Sequence, residues 1–203
     1  GARLQTANGS PRKVTAMHTY SPVLDISIHP DVLRERDSGV SWWKTVGAGL
    51  KLDRSEVTKL RDKPEFAVAL GALQFSTGKH EFEFSINRSS GGYVYVGVAR
   101  PDIATDKTFC RRDACDQVWY YFGCGYTNAL RNGWDDVVSA EVLGSDFTVP
   151  SFRSGDRVRA QLNMDEGELK FLIFRNDVGQ YVEVPGKLTG IQGPVVACCC
   201  VQL

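Results

Sequence analysis

The sequence predicts an all-β protein, an antiparallel β-sandwich with a short N-terminal extension. Three observations predict this class: apolar and polar residues alternate with a period of two in several segments, turn residues separate those segments, and helical periodicity is scarce. The 203 residues suit one large domain. We place an N-terminal extension, packing on the domain, at 1–38 and the domain itself at 39–203.

The clearest alternation lies at 157–164, where Val158, Ala160, Leu162 and Met164 alternate with polar residues. A second apolar alternation, ELKFLIF, follows the acidic cluster 165–168. We interpret Asp165-Glu166-Gly167 as a three-residue hairpin loop whose acids stay in water and whose glycine adopts a positive φ. The oxygen ligands that an EF-hand calcium loop needs at alternate positions are absent from this cluster.

The same pattern predicts further strands. Strand segments are predicted at 79–86 (KHEFEFSI), 92–99 (GYVYVGVA), 117–126 (QVWYYFGCGY) and 193–203 (GPVVACCCVQL). The unbroken apolar run of the last segment predicts a central strand. Shorter strands are predicted at 46–53 and 65–71, and an exposed hairpin at 53–62.

Composition argues against several classes of partner. The 24 Lys and Arg residues balance the 24 Asp and Glu residues, whereas nucleic acids and anionic membranes require a basic face. No apolar stretch is long enough for a transmembrane helix or a signal peptide. Three of the six cysteines are adjacent, which is a poor layout for disulfides. We therefore expect reduced thiols and a cytoplasmic protein that binds neither nucleic acid nor membrane.

Catalytic and metal-binding patterns are weak. No sequence spacing pairs His18, His29 or His80 with a cysteine nucleophile, and no G-x-S-x-G elbow occurs. The pair Cys110 and Cys115 lacks a second pair at zinc-site spacing. Cys198–Cys200 cannot all face one metal from a strand, so we interpret them as small apolar core residues. We predict no catalytic residues, no cofactor and no metal site.

Five segments, in this order, resemble the SPRY family, which forms the core of B30.2 domains. They are STGKHEFEFSI, YVYVGVA, VWYYFG, SGDRVRAQLNMDEGELKFLIFRNDVG and GPVVACC, and the resemblance covers about residues 40–203. It implies a bent antiparallel sandwich of the SPRY, concanavalin-like jelly-roll type. The sequence departs from the family at FRNDVG, where an Asn-Gly turn is usual, and at Cys198–Cys200, where peptide-binding relatives often carry a larger aromatic wall.

The resemblance also implies a function. SPRY domains are as a rule non-catalytic protein-interaction modules, and many act as substrate receptors of ubiquitin ligases or as subunits of regulatory complexes. We therefore expect a monomeric module that recognises a peptide segment or a domain of another protein through its strand-connecting loops. The departure at Cys198–Cys200 puts the family's best-known peptide specificity in doubt for this chain.

Two segments, 100–117 and 119–136, combine arginine with aromatic residues, the types enriched in binding hot spots. The predicted partner-binding residues are Arg100, Asp102, Phe109, Arg111, Arg112, Tyr121, Tyr126, Asn128, Arg131 and Trp134. Arg111-Arg112 would suit an acidic partner segment. For Phe109 and Trp134 the alternative is that each ring anchors its own loop.

A carbohydrate-binding, lectin-like sandwich is the alternative function. Exposed tryptophans would then stack on sugar rings, and glycan binding in the absence of a protein partner would favour this alternative.

Overall fold

Two antiparallel sheets of seven strands each make up the fold. The computed structural model describes residues 25–29, 42–53, 56–60, 66–88, 93–106, 108–109, 111–123, 129–133, 135–138 and 149–202. The first sheet has the order β13 (Gln180–Glu183), β12 (Glu168–Arg175), β11 (Arg157–Asn163), β6 (Lys79–Arg88), β1 (Asp25–His29), β4 (Glu56–Lys59), β3 (Leu50–Asp53). The second has the order β10 (Asp135–Val138), β9 (Ala129–Asn132), β8 (Val118–Gly123), β7 (Tyr93–Ala99), β14 (Val195–Gln202), β5 (Ala67–Phe75), β2 (Trp43–Val46). The all-β prediction is therefore confirmed.

Helix plays almost no part in the described residues, where the one helical element is a 3-10 helix at Arg112–Ala114. No helix in this part of the chain has the length and apolar character needed to cross a bilayer.

The predicted hairpin at 157–175 forms, with one difference at its turn. β11 and β12 pair from Arg157 with Phe174 to Asn163 with Glu168, which leaves a turn of four residues, 164–167. Met164 does not pair with β12. Its N–H donates instead to the carbonyl of Gly78, 2.9 Å away, and its side chain is buried. Gly167 has a φ of 65°, as the turn prediction requires.

Two predictions near the N-terminal end of the domain need correction. The predicted strand 46–53 is two strands, because β2 joins the second sheet and β3 the first, with a turn at 47–49 between them. A hairpin was predicted at 53–62, but the hairpin that forms joins β3 to β4 at 50–59, and it is not exposed, because Val57 and Lys59 are buried.

β1 lies within the range predicted as an N-terminal extension. It pairs with β6 on one side and β4 on the other, so residues 25–29 are an internal strand of the first sheet. The boundary at 38/39 stays a prediction, but strand pairing starts before it.

The central strands of the second sheet are buried on both faces. On β8, Trp119 and Tyr121 face the core between the sheets, whereas Val118, Tyr120 and Phe122 face a second cluster on the outer side. β14 is split in the same way and lies between β7 and β5, which confirms the predicted central strand. An apolar outer face must be shielded from water, and the connection between β7 and β8 shields it.

The three adjacent cysteines are buried packing residues. Cys199 lies between the sheets, Cys198 and Cys200 lie in the outer cluster, and all three side chains are inaccessible. Burial raises the pKa of the Cys198 and Cys199 thiols above the usual value, so both stay protonated and unreactive.

We expect iodoacetamide to leave Cys198–Cys200 unlabelled in the native protein at neutral pH and to label them after denaturation in urea. Alkylation needs an accessible thiolate, and the native strand provides none. Mass spectrometry of the C-terminal peptide measures the labelling, with an unfolded sample as the control. Native labelling at the rate of the unfolded chain would contradict the packing described here.

Candidate partner-binding rim

Residues 100–117, termed the rim loop below, join β7 to β8 and cover the outer face of the second sheet. Ile103, Phe109 and Ala114 are its buried members and pack in the outer cluster against Tyr95 and Tyr120. Main-chain bonds fold the end of the loop tightly: Ala114 N–H donates to the Arg111 carbonyl and Gln117 N–H to the Ala114 carbonyl, both at 3.1 Å. The rim loop is therefore packed against the second sheet.

Phe109 and Tyr121 were predicted to contact a partner, and both predictions need correction because both side chains are 0% exposed. The Phe109 ring lies edge-on to Tyr95, with 6.3 Å between centroids, and anchors the loop. Tyr121 faces inward, where its hydroxyl donates to the Pro150 carbonyl. Burial raises the pKa of this phenol above its ordinary range, so it remains a neutral donor.

Two of the arginines predicted to bind a partner make contacts within the protein instead. Arg100 donates from Nη1 to the Gln192 carbonyl and from Nε to the Asp116 carbonyl at 3.4 Å, and its guanidinium lies 5.6 Å from the Trp119 ring centre. Arg111 forms an ion pair of 3.3 Å with Asp113, and only 17% of its side chain is exposed. Neither guanidinium is fully available to a partner.

The remaining predicted residues fall into three groups. Asp102 and Arg112 are exposed, and no described residue forms an ion pair with either of them. Arg131 is half-buried, with its guanidinium 5.5 Å from the Phe122 ring centre. Tyr126, Asn128 and Trp134 lie outside the described residues.

The rim loop adjoins one end of β8. β8 pairs with β7 from Ala99–Val118 to Val94–Gly123, so Gly123 lies about 17 Å along the strand from the rim loop. Gly133, which follows β9, lies beside Ala114 and Cys115 of the rim loop. The site therefore consists of the described residues of the rim loop and of the β9–β10 hairpin, and we call this surface the rim.

Sequence reasoning missed two residues that connect these two parts. Asn132, at the end of β9, accepts from the Asp116 N–H with Oδ1 at 2.7 Å and donates from Nδ2 to the Asp116 carboxylate at 2.9 Å. The sequence signals at this point were the Asn132-Gly133 turn and an aspartate close to a strand start, and neither indicates a contact 16 residues away.

The exposed charges of the rim are mostly acidic. Among its described residues, the exposed acids are Asp102, Asp106, Asp113, Asp116 and Asp135, and the one exposed base is Arg112. The sequence contains several arginines here, but folding turns most of them inward or pairs them. The acidic partner predicted for Arg111-Arg112 therefore has less support than the sequence indicated.

The other candidate sites have the following positions. Trp42 is half-buried and Trp43 is buried. In the described part of the chain, no group of three or more His, Cys, Asp or Glu side chains is arranged to hold a metal ion.

The sequence matches no protein-family model and no curated protein. The fold, in contrast, is similar to those of several solved structures. The SPRY domain of human HERC1 is similar with a TM-score of 0.51 at 14% identity, over 72% of this chain and 85% of that one. The TRIM65 PSpry domain is similar with a TM-score of 0.52 at 13% identity, over 88% of this chain and 91% of that one.

Stonustoxin is similar with a TM-score of 0.50 at 15% identity, over 76% of this chain and 26% of that one. At these identities the likeness concerns the fold alone, and it agrees with the resemblance of the five sequence segments. The chain has a SPRY-like β-sandwich fold.

Proposed function

We propose that this protein is a non-catalytic protein-interaction module whose rim binds a basic segment of another protein. The observation that carries the proposal is the construction of the rim loop. Ile103, Phe109 and Ala114 are buried in the outer cluster, while Asp102, Asp106 and Arg112 are exposed to solvent. A surface ordered before binding loses little conformational entropy when a partner docks.

The charge of the rim supports the choice of partner. Among the described residues of the rim, five exposed aspartates and one exposed arginine favour lysine and arginine side chains as partners, since complementary charge governs specificity and association rate. The chain as a whole carries no formal net charge.

The absence of catalysis is also part of the proposal. The buried thiols of Cys198 and Cys199 are held protonated and are inaccessible to a substrate. The described tryptophans give no specific support to a carbohydrate site, because Trp43 and Trp119 are buried and Trp42 is half-buried.

Within this function we propose a substrate receptor or adaptor of a ubiquitin ligase, or a subunit of a regulatory complex, acting as a cytoplasmic monomer. The sequence resemblance and the SPRY-like fold support this role. Co-purification from cells would test it: ligase subunits or a stable regulatory complex should accompany the protein, and their absence would contradict the role.

Charge reversal tests the rim. We expect the wild-type protein to retain lysine- and arginine-rich peptides from an array of basic, neutral and acidic segments. Asp102→Lys combined with Asp106→Lys should weaken that binding by at least about tenfold, since both carboxylates are exposed and would be replaced by repelling charges.

The matched control is Asp53→Lys combined with Glu183→Lys, which changes the net charge equally at exposed positions on β3 and β13. The control should bind like the wild type, and all three proteins should melt at similar temperatures. Retention of acidic peptides, or equal losses in both double variants, would refute the proposal.

A further inference from the structure

A polar contact between the rim loop and β9 fixes the conformation of the loop end. Asp116 has a φ of 59°, a left-handed conformation that residues other than glycine adopt at a cost of roughly 1–2 kcal/mol. Aspartate is one of the few residues that tolerate this region. The surrounding contacts must therefore hold the backbone at this position.

Those contacts come from two side chains. Asn132 satisfies both the N–H and the carboxylate of Asp116, at 2.7 and 2.9 Å. Arg100 donates to the Asp116 carbonyl and to the Gln192 carbonyl, so it joins both ends of the rim loop to the segment before β14. Asn132 therefore holds the N–H of Asp116, and Arg100 holds its carbonyl.

Two neighbouring contacts add to these. Cys115 Sγ lies 3.5 Å from the Asn132 carbonyl of β9, and within the loop Gln117 Nε2 donates to the Asp113 carbonyl at 2.7 Å. The loop end is thus fastened to β9 by side-chain bonds, while Phe109 fastens its middle by burial.

We propose that Asn132, Asp116 and Arg100 form a latch that sets how fast a partner binds the rim. The inference rests on the proposed function. With the latch closed, the loop stays in its binding-competent conformation. With the latch broken, only a fraction of molecules is competent, and the apparent affinity falls by that fraction. The loss should appear in the association rate, since molecules that bind do so through unchanged contacts.

Asn132→Ala breaks the latch, and Asn87→Ala is the matched control. Asn87 lies on β6, outside the rim, and its Nδ2 donates to Glu56 Oε1 at 2.8 Å, so this substitution also removes an amide side chain and its hydrogen bond but leaves the latch intact. Amide hydrogen exchange of 111–117 reports on the latch without any partner. A lysine- and arginine-rich peptide retained by the wild type is the probe for binding kinetics.

In Asn132→Ala we expect exchange of 111–117 to rise at least about tenfold, with exchange in β11 and β12 unchanged. The association rate for the peptide should fall while the dissociation rate stays within about twofold. Asn87→Ala should remain close to the wild type in both measurements.

Unchanged exchange in Asn132→Ala would overturn the latch. So would a faster dissociation with an unchanged association rate, because Asn132 would then contact the partner directly. If the wild-type protein binds no basic peptide, the proposed function fails, and the exchange measurement still decides whether the latch holds the loop.

Discussion

Phe109→Ala is expected to lower the free energy of unfolding by about 3–5 kcal/mol, as removal of a fully buried aromatic ring usually does. The ring lies between the rim loop and the outer face of the second sheet, with its centroid 5.7 Å from that of Tyr120. Its loss would leave a cavity and uncover β7 and β8. Urea denaturation followed by tryptophan fluorescence measures the change.

Phe109→Leu serves as the control, because it keeps most of the apolar contact and should cost clearly less. If the loop is released together with the ring, Phe109→Ala should also bind basic peptides more weakly than Phe109→Leu does. A loss of stability below about 1 kcal/mol would show that the ring is not packed as described.

Gly97→Ala is expected to cost more than about 4 kcal/mol or to prevent folding. A Cβ at this position of β7 would lie 2.7 Å from the Tyr120 Cα and closer still to the Trp119 carbonyl oxygen, and both atoms belong to the backbone of β8. Because backbone atoms in the middle of a sheet cannot move aside singly, β7 and β8 would have to separate. Thermal unfolding and the soluble yield of the variant measure the effect.

Gly179→Ala is the matched substitution in open space. Its φ is 73°, and no atom lies within 4 Å of the Cβ that would be added, so only the left-handed backbone opposes it, at roughly 1–2 kcal/mol. Similar losses at both positions would contradict the close approach of β7 and β8.

The strands could be predicted because alternation is a local property. In β6, Phe82, Phe84 and Ile86 are all buried, as their spacing of two indicates. The order of the strands could not be predicted in the same way. β1 lies between β6 and β4, and nothing within its five residues identifies neighbours so distant in the chain.

The rim was predicted only in part, because side-chain roles in a loop depend on what the loop covers. The unbroken apolar run of β8 is typical of a strand that is buried on both faces, and this signal could have identified Phe109 as part of the cover. Arg100 donates hydrogen bonds to the carbonyl groups of Asp116 and Gln192, and Gln192 is 92 residues away in the sequence. No local sequence pattern indicates such a contact.

Different residues of the rim loop pack on the sheet and face the solvent. Phe109 and Ala114 hold it to the sheet, whereas Asp102, Asp106 and Arg112 point outward and support no described part of the fold. The outward positions could therefore be randomised as a library on an intact scaffold. Selection from such a library should yield binders of new specificity that melt like the parent protein.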